Sequence, residues 1–284
     1  MTKIISCFIA LIFNMSTYAN FLEDCLNPSL SSEKRFTVNV IIDQLGVSGC
    51  QKAYDRLVSI SRLNLSASGI IDISPLNNLT KITELNLSEN EIENIEILSS
   101  LKNLVSLNLS QNFIKDITPL SGLQNITILN LSDNQLDSIS PLENITSLTS
   151  LDISFQDSGN IFDYSTLEVI KNLINLKIFK AIALKINNIN FLIANQKIKS
   201  LYLGYNLLKD ISPLQFLITL ENINLVSNKI TNVSPLQGLI HMTILDLYNN
   251  PIIKDEINCP YQNIPSTSLS NYCKWYLGEH LLSF

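Results

Sequence analysis

The sequence predicts an α/β solenoid. A parallel β-sheet forms its concave face, short α or 3-10 helices form its convex face, and a cap closes each end. Three observations carry this. Asn90, Asn112 and Asn134 stand 22 residues apart, and Asn206, Asn228 and Asn250 resume the same step. A period of that size marks stacked units that cannot bury their apolar face alone. Each unit opens on two apolar side chains one residue apart and later carries Ser-Pro-Leu or a near variant.

The N-terminus reads as a secretory signal over residues 1–19. Lys3 supplies a positive start, Ile4 to Phe13 an apolar run too short to cross a bilayer, and Thr17-Tyr18-Ala19 a cleavage site. Residues 20–56 are expected to form an N-terminal helical cap. Within it Phe36, Val40, Ile41 and Leu45 have near-helical spacing and are expected to cover the first repeats. From Cys50 to Ile60 the chain already matches the helical side of a repeat through Leu57 and Ile60.

Nine repeats fill residues 57–252. Leu85/Leu87, Leu107/Leu109, Leu201/Leu203 and Leu245/Leu247 place two side chains on one face of a short strand, so they point inward and the residue between them outward. The asparagine that follows can bond backbone groups where the chain turns out of the sheet. Ser74–Leu76, Ser140–Leu142, Ser212–Leu214 and Ser234–Leu236 read Ser-Pro-Leu, and Thr118–Leu120 reads Thr-Pro-Leu. Serine or threonine as N-cap before proline is a helix start. Leu79, Leu101, Leu123 and Leu239 then bury that helix against the sheet. Ser68, Gln156 and Leu184 occupy the asparagine position in the remaining units.

Residues 253–284 are expected to form a C-terminal disulfide cap in which Trp275, Tyr276 and Leu277 cover the last strand. Without the signal segment four cysteines remain: Cys25, Cys50, Cys259 and Cys273. An even number in an exported chain suggests disulfides. Three pairings are open, and nearness in sequence favours Cys25–Cys50 and Cys259–Cys273. Zinc is the alternative, without the usual ligand spacings to support it.

The pattern LxLxxNxIxxIxPLxxLxxL, running from about Leu57 to Pro251, resembles the 22-residue leucine-rich repeat of bacterial internalins. The resemblance implies a right-handed horseshoe that binds a protein on its concave strand face. The chain departs from cell-wall-anchored internalins in its terminal cysteines and in having no sorting signal or immunoglobulin-like extension. Host-cell invasion is therefore not carried over.

Composition narrows the function. Hydrophobic residues make up 46% of the chain, charged residues 15%, and the net charge is −6, which disfavours nucleic acid or an anionic membrane as partner. The two histidines, His241 and His280, have no evident catalytic companion. No glycine-rich phosphate loop or metal-ligand cluster occurs, so no catalytic residue, cofactor or metal is expected. The Asn-Leu-Ser sequons at Asn64, Asn86, Asn108 and Asn130 recur through copying of the repeat, and glycosylation there is not expected. The expectation is a secreted or periplasmic monomer, host-interacting or envelope-associated, that binds a protein without inserting into a membrane. The alternative is an adhesion protein recognising glycan or envelope material.

Outward strand positions separate two halves. Asn64, Asn86, Asn108 and Asn130, with Ser66, Ser88, Ser110 and Ser132, form a monotonous ladder that duplication alone would produce. The second half varies, and aromatic anchors dominate protein interfaces. Phe155, Lys180, Tyr202, Tyr205, Asp246 and Tyr248 are the candidate partner-binding residues. From Gln156 to Leu184 is 28 residues, six more than the period. The extra length is assigned to a loop near 157–164 that forms one wall of the site.

Overall fold

The computed structural model describes residues 19–156 and 163–252. The expected signal segment, most of the expected inserted loop, and the expected C-terminal cap with Cys259, Cys273 and Trp275 lie outside these residues. Three helices come first, α1 (Ala19–Leu26), α2 (Ser32–Leu45) and α3 (Cys50–Leu57). Nine three-residue strands follow: β1 (Arg62–Asn64), β2 (Glu84–Asn86), β3 (Ser106–Asn108), β4 (Ile128–Asn130), β5 (Ser150–Asp152), β6 (Ile178–Lys180), β7 (Ser200–Tyr202), β8 (Asn222–Asn224) and β9 (Ile244–Asp246). They form one parallel sheet in sequence order. This is a leucine-rich repeat horseshoe, with the strands on the concave face and 3-10 turns opposite.

Ser31 caps α2 by accepting from the Lys34 N–H, and Gly46 ends the helix in the left-handed region at φ 63°. The buried face of α2 is Thr37, Val38, Ile41 and Leu45, whereas Phe36 is exposed and Val40 only partly buried. The apolar spacing had pointed to Phe36 and Val40. Thr37 decides the rotation, because its hydroxyl donates to the Asp72 carbonyl of the first repeat at 2.7 Å. A Cys25–Cys50 disulfide joins α1 to α3, with Cα atoms 5.6 Å apart.

Inward positions stack in register, Leu63, Leu85, Leu107, Leu129, Leu151, Phe179, Leu201, Ile223 and Leu245. All but Leu245 at the last strand are fully buried. The register passes from β5 to β6 without a slip, so the six added residues lie wholly outside the sheet.

Opposite the strands, Ser74–Leu76, Thr118–Leu120, Ser140–Leu142 and Ser234–Leu236 are 3-10 turns, and Ser212–Phe216 is a longer one. Their serine or threonine is not the capping side chain. The cap position is the preceding Ile or Val, and the acceptor lies two residues before the turn. Asp72 accepts from the Ser74 N–H at 2.8 Å, Asp116 from Thr118 at 2.7 Å, Asp210 from Ser212 at 2.8 Å and Asn232 from Ser234 at 2.8 Å. The acid or amide closes a local turn that a serine hydroxyl in the turn itself cannot reach.

Buried amides hold the turns after the strands. The side-chain oxygens of Asn90, Asn112, Asn134, Asn206, Asn228 and Asn250 accept an N–H of the preceding repeat, at 2.9–3.1 Å. Their Nδ2 groups donate to carbonyls of the preceding and their own repeat. Gln156 reproduces the set, accepting from Leu136 N–H at 3.1 Å and donating to the Leu131 carbonyl at 3.0 Å. Leu184 has no such group, so the amide ladder is interrupted at the enlarged repeat.

That repeat is held from the other side. Tyr164–Asn172 is a nine-residue 3-10 segment, capped by Asp163. Tyr164 thus belongs to the helical side rather than to the inserted loop, where sequence spacing had put it. Asn195, at a position that is leucine in most repeats, is fully buried and donates to the carbonyls of Ile170 and Leu173 at 2.9 and 3.0 Å. One consensus amide has gone from the front of the repeat and another has appeared behind it.

Candidate protein-interaction surface

The outward asparagines of the first strands are not passive copies. Asn64, Asn86, Asn108 and Asn130 each accept the N–H two residues on, at 3.0–3.1 Å, and so end their strand in the same local turn. Asp152, Asn224 and Asp246 do likewise at 3.0–3.2 Å. The serines that follow are less exposed than expected, Ser88, Ser110 and Ser154 being buried. Monotony in this half therefore has a structural cause beyond duplication.

Only Lys180 and Tyr202 cannot make this turn, since neither offers a short acceptor. At Lys180 a neighbour substitutes: the Ile182 N–H donates to the Ser154 hydroxyl at 3.1 Å. At Tyr202 the position two on is Gly204. A Cβ there would meet Asn224 Oδ1 and Val226 Cγ1, both at 2.8 Å, so only glycine fits beneath them. Freed from backbone duty, the two side chains meet on the face. Lys180 Nζ lies 3.4 Å from Asp152 Oδ2 and 5.6 Å from the centre of the Tyr202 ring.

Phe155 and Tyr205 occupy another column, one left-handed residue per repeat. Its φ values run from 51° at Ala67 to 59° at Asn249, with both aromatics at 57°. Bulky residues rarely adopt that conformation. The N–H of each is tied to the next repeat, to Ile182 O at 2.9 Å and Val226 O at 2.7 Å, which holds the ring outward. Phe155 is 46% exposed and Tyr205 60%.

The six sequence-selected residues do not form one tight cluster. Lys180 and Tyr202 are on adjacent strands, and Tyr205 shares the repeat of Tyr202. Phe155 and Tyr205 are two repeats apart, about 10 Å at normal strand spacing. Asp246 and Tyr248 lie two strands beyond Tyr202. Asp246 closes the local turn on the Tyr248 N–H, while the Tyr248 ring is exposed. Sequence reading missed the column before the first leucine, where Ile128, Ile178 and Ile244 are exposed. The signal was present, since these are β-branched apolar residues in an otherwise polar column.

Asp133 was missed as well. Burial raises its pKa first and the Asp152 carboxylate second, against a lowering hydrogen bond from Gln111. A raised folded-state value means its stabilisation is present below the ordinary carboxylate range and is lost as pH rises through the folded value. Asp133→Asn is therefore expected to match the wild type in acid and exceed its stability at neutral pH. The gain should stay below about 1 kcal/mol for so solvent-screened a group. Urea titrations at several pH values check this, and a gain independent of pH would refute it.

Asp152 and Asp246 are four strands apart, about 19 Å, too far for paired acid–base work. Among the described residues no group of three or more His, Cys, Asp or Glu side chains could hold a metal. No described helix is long and apolar enough to cross a membrane.

Residues 80–122 match the family model for leucine-rich repeats in two copies, and residues 122–139 match a further leucine-rich repeat model. None of the curated proteins matches the chain. Internalin C2 of Listeria monocytogenes is 25% identical over 80% of this chain and 87% of that one, with a TM-score of 0.53. The functional domain of InlJ from Listeria monocytogenes, which includes a cysteine ladder, is 20% identical over 79% of this chain and 47% of that one, with a TM-score of 0.63. The plant peptide hormone receptor RGFR1, in complex with RGF2, is 17% identical over 68% of this chain and 36% of that one, with a TM-score of 0.53.

Proposed function

We propose that this chain, whose leucine-rich repeats resemble those of the internalins, is an exported, non-enzymatic module that binds a protein on the second half of its concave face. The observation that carries the reading is the division of labour among outward strand residues. Across β1–β5 and at β8 and β9 the short acceptors are committed to the strand-end turn, while Lys180 and Tyr202 are not. Phe155, Tyr205 and Tyr248 add exposed rings beside them, and Ile178 and Ile244 add apolar surface. Aromatic anchors of this kind supply most of the energy in protein interfaces.

Export is supported by the apolar N-terminal run and by the Cys25–Cys50 disulfide, a bond that persists in oxidising compartments. The residues beyond 252, including Cys259 and Cys273, are proposed to cap the end of the stack beyond β9, on the side of the exposed Ile240 and away from the outward face of the strands. Glycan recognition through the asparagine ladder is the weaker reading, because the amide oxygens already hold backbone N–H groups.

A partner captured by the disulfide-intact chain should bind at least about tenfold more weakly to the joint Tyr202→Ala, Tyr205→Ala variant. Surface plasmon resonance reads the change. Undiminished affinity, with an unaltered urea midpoint, would remove the patch from consideration.

A further inference from the structure

We infer a second recognition point at the N-terminal corner of the concave face, a groove that receives a carboxylate-bearing, partly apolar peptide segment. The groove has a volume of about 590 Å³ where the ends of α2 and α3 overhang the first three strands. Gln44 and Leu45 come from α2, Arg56 and Ile60 from α3 and the chain after it, and Arg62 and Asn64 from β1. Glu84, Asn86 and Asn108 continue it across β2 and β3.

The donors and acceptors there are lopsided. A backbone N–H can only donate, so the bonds from Ser66, Ser88 and Ser110 fix the oxygens of Asn64, Asn86 and Asn108 as acceptors. The Ser110 hydroxyl adds a second donor to the Asn108 oxygen, at 2.9 Å. The three Nδ2 groups have no partner among the described residues and are not sealed from solvent, so this stretch of face offers donors. Parallel pairing spaces them at about 4.8 Å.

Two guanidinium groups stand at the groove. Arg62 meets Glu84 at 3.1 Å, a solvent-exposed pair of small worth that a ligand carboxylate can displace. Arg56 is exposed and has no ion-pair partner among the described residues. The lining thus carries two positive charges and one negative in a chain of net charge −6. A ligand must bring acceptors and negative charge, and a carboxylate matches the planar fork of arginine. Ile60, only partly buried in the same wall, favours a segment that also has apolar side chains, which a sulfated sugar chain lacks.

The site is separate from the aromatic patch, with strands β4 and β5 between it and Lys180, and the two are tested apart. Fluorescence anisotropy of a labelled hexapeptide of alternating glutamate and leucine, titrated with the disulfide-intact full chain, is the direct measurement. Binding should weaken about tenfold on Arg56→Gln or Arg62→Gln. It should weaken with added salt and be unchanged by joint Tyr202→Ala and Tyr205→Ala. Both arginines are exposed, so the substitutions leave the core intact. Absence of binding, equal binding of the lysine-for-glutamate peptide, or insensitivity to both arginine changes would overturn the inference. So would loss of binding on the tyrosine changes, which would move the site. Binding of a sulfated oligosaccharide in place of the peptide would overturn it in favour of a polyanion site.

Discussion

Asn206→Ala is expected to lower the free energy of unfolding by about 3–5 kcal/mol, a large share of the roughly 5–15 kcal/mol that holds a typical domain. The side chain is buried and makes five hydrogen bonds. Its oxygen accepts from the N–H groups of Leu184 and Ile186, both at 3.0 Å, and its nitrogen donates to the carbonyls of Ala181, Leu203 and Gly204. Alanine would strand two buried N–H groups, each costing about 1–3 kcal/mol, before any account of the carbonyls or the cavity. Glutamine should recover part of the loss, because Gln156 does the same work two repeats earlier, with bonds of 3.0–3.3 Å. Urea unfolding at constant slope checks the series. A midpoint for Asn206→Ala within about 1 kcal/mol of the wild type would mean that water replaces the amide and that the ladder is not a stabilising device.

Removal of the Cys25–Cys50 bond is the second large effect. The cysteines are 25 residues apart, and closing a loop of that length restrains the unfolded chain by roughly 3.5 kcal/mol. The cost should fall on one end of the molecule, since repeats contact only their neighbours. In the Cys25→Ser, Cys50→Ser variant, amide exchange should quicken in α1–α3 and β1 while β6–β8 keep their protection. Uniform loss across all nine strands would show a single cooperative unit instead. Unchanged protection at the N-terminal end would show that Thr37 and the apolar face of α2 hold the cap without the disulfide.

Most of the architecture was legible because its causes are local and repeated. Leucines one residue apart could only be strands, and the 22-residue step set the register from Leu63 to Leu245. What escaped the reading depends on contacts between distant residues. The rotation of α2 turns on the bond from Thr37 to the Asp72 carbonyl, 35 residues away, and nothing in the spacing of Phe36 and Val40 reveals it. The start of the long 3-10 segment at Tyr164 depends on the Asp163 carboxylate and on Thr166, whose hydroxyl takes the Ile139 N–H from the repeat before. At the candidate surface, aromatic character could be read directly, but the reason Lys180 and Tyr202 are free could not. It needs knowledge of which side chains close the strand-end turns.

The amide ladder also gives the stack a direction in time. Each asparagine reaches back to the repeat before it, so a repeat cannot finish its own turn until 22 further residues have been made. As the chain is made, the partners for closing one unit therefore become complete only when the next has emerged. After the first repeat, where the position is Ser68, Leu184 is the one place among the described repeats where the successor brings no amide. A chain emerging there must wait for Asn195, eleven residues later, to secure the enlarged repeat from behind. The irregular repeat thus takes its amide from further along the chain than its neighbours do.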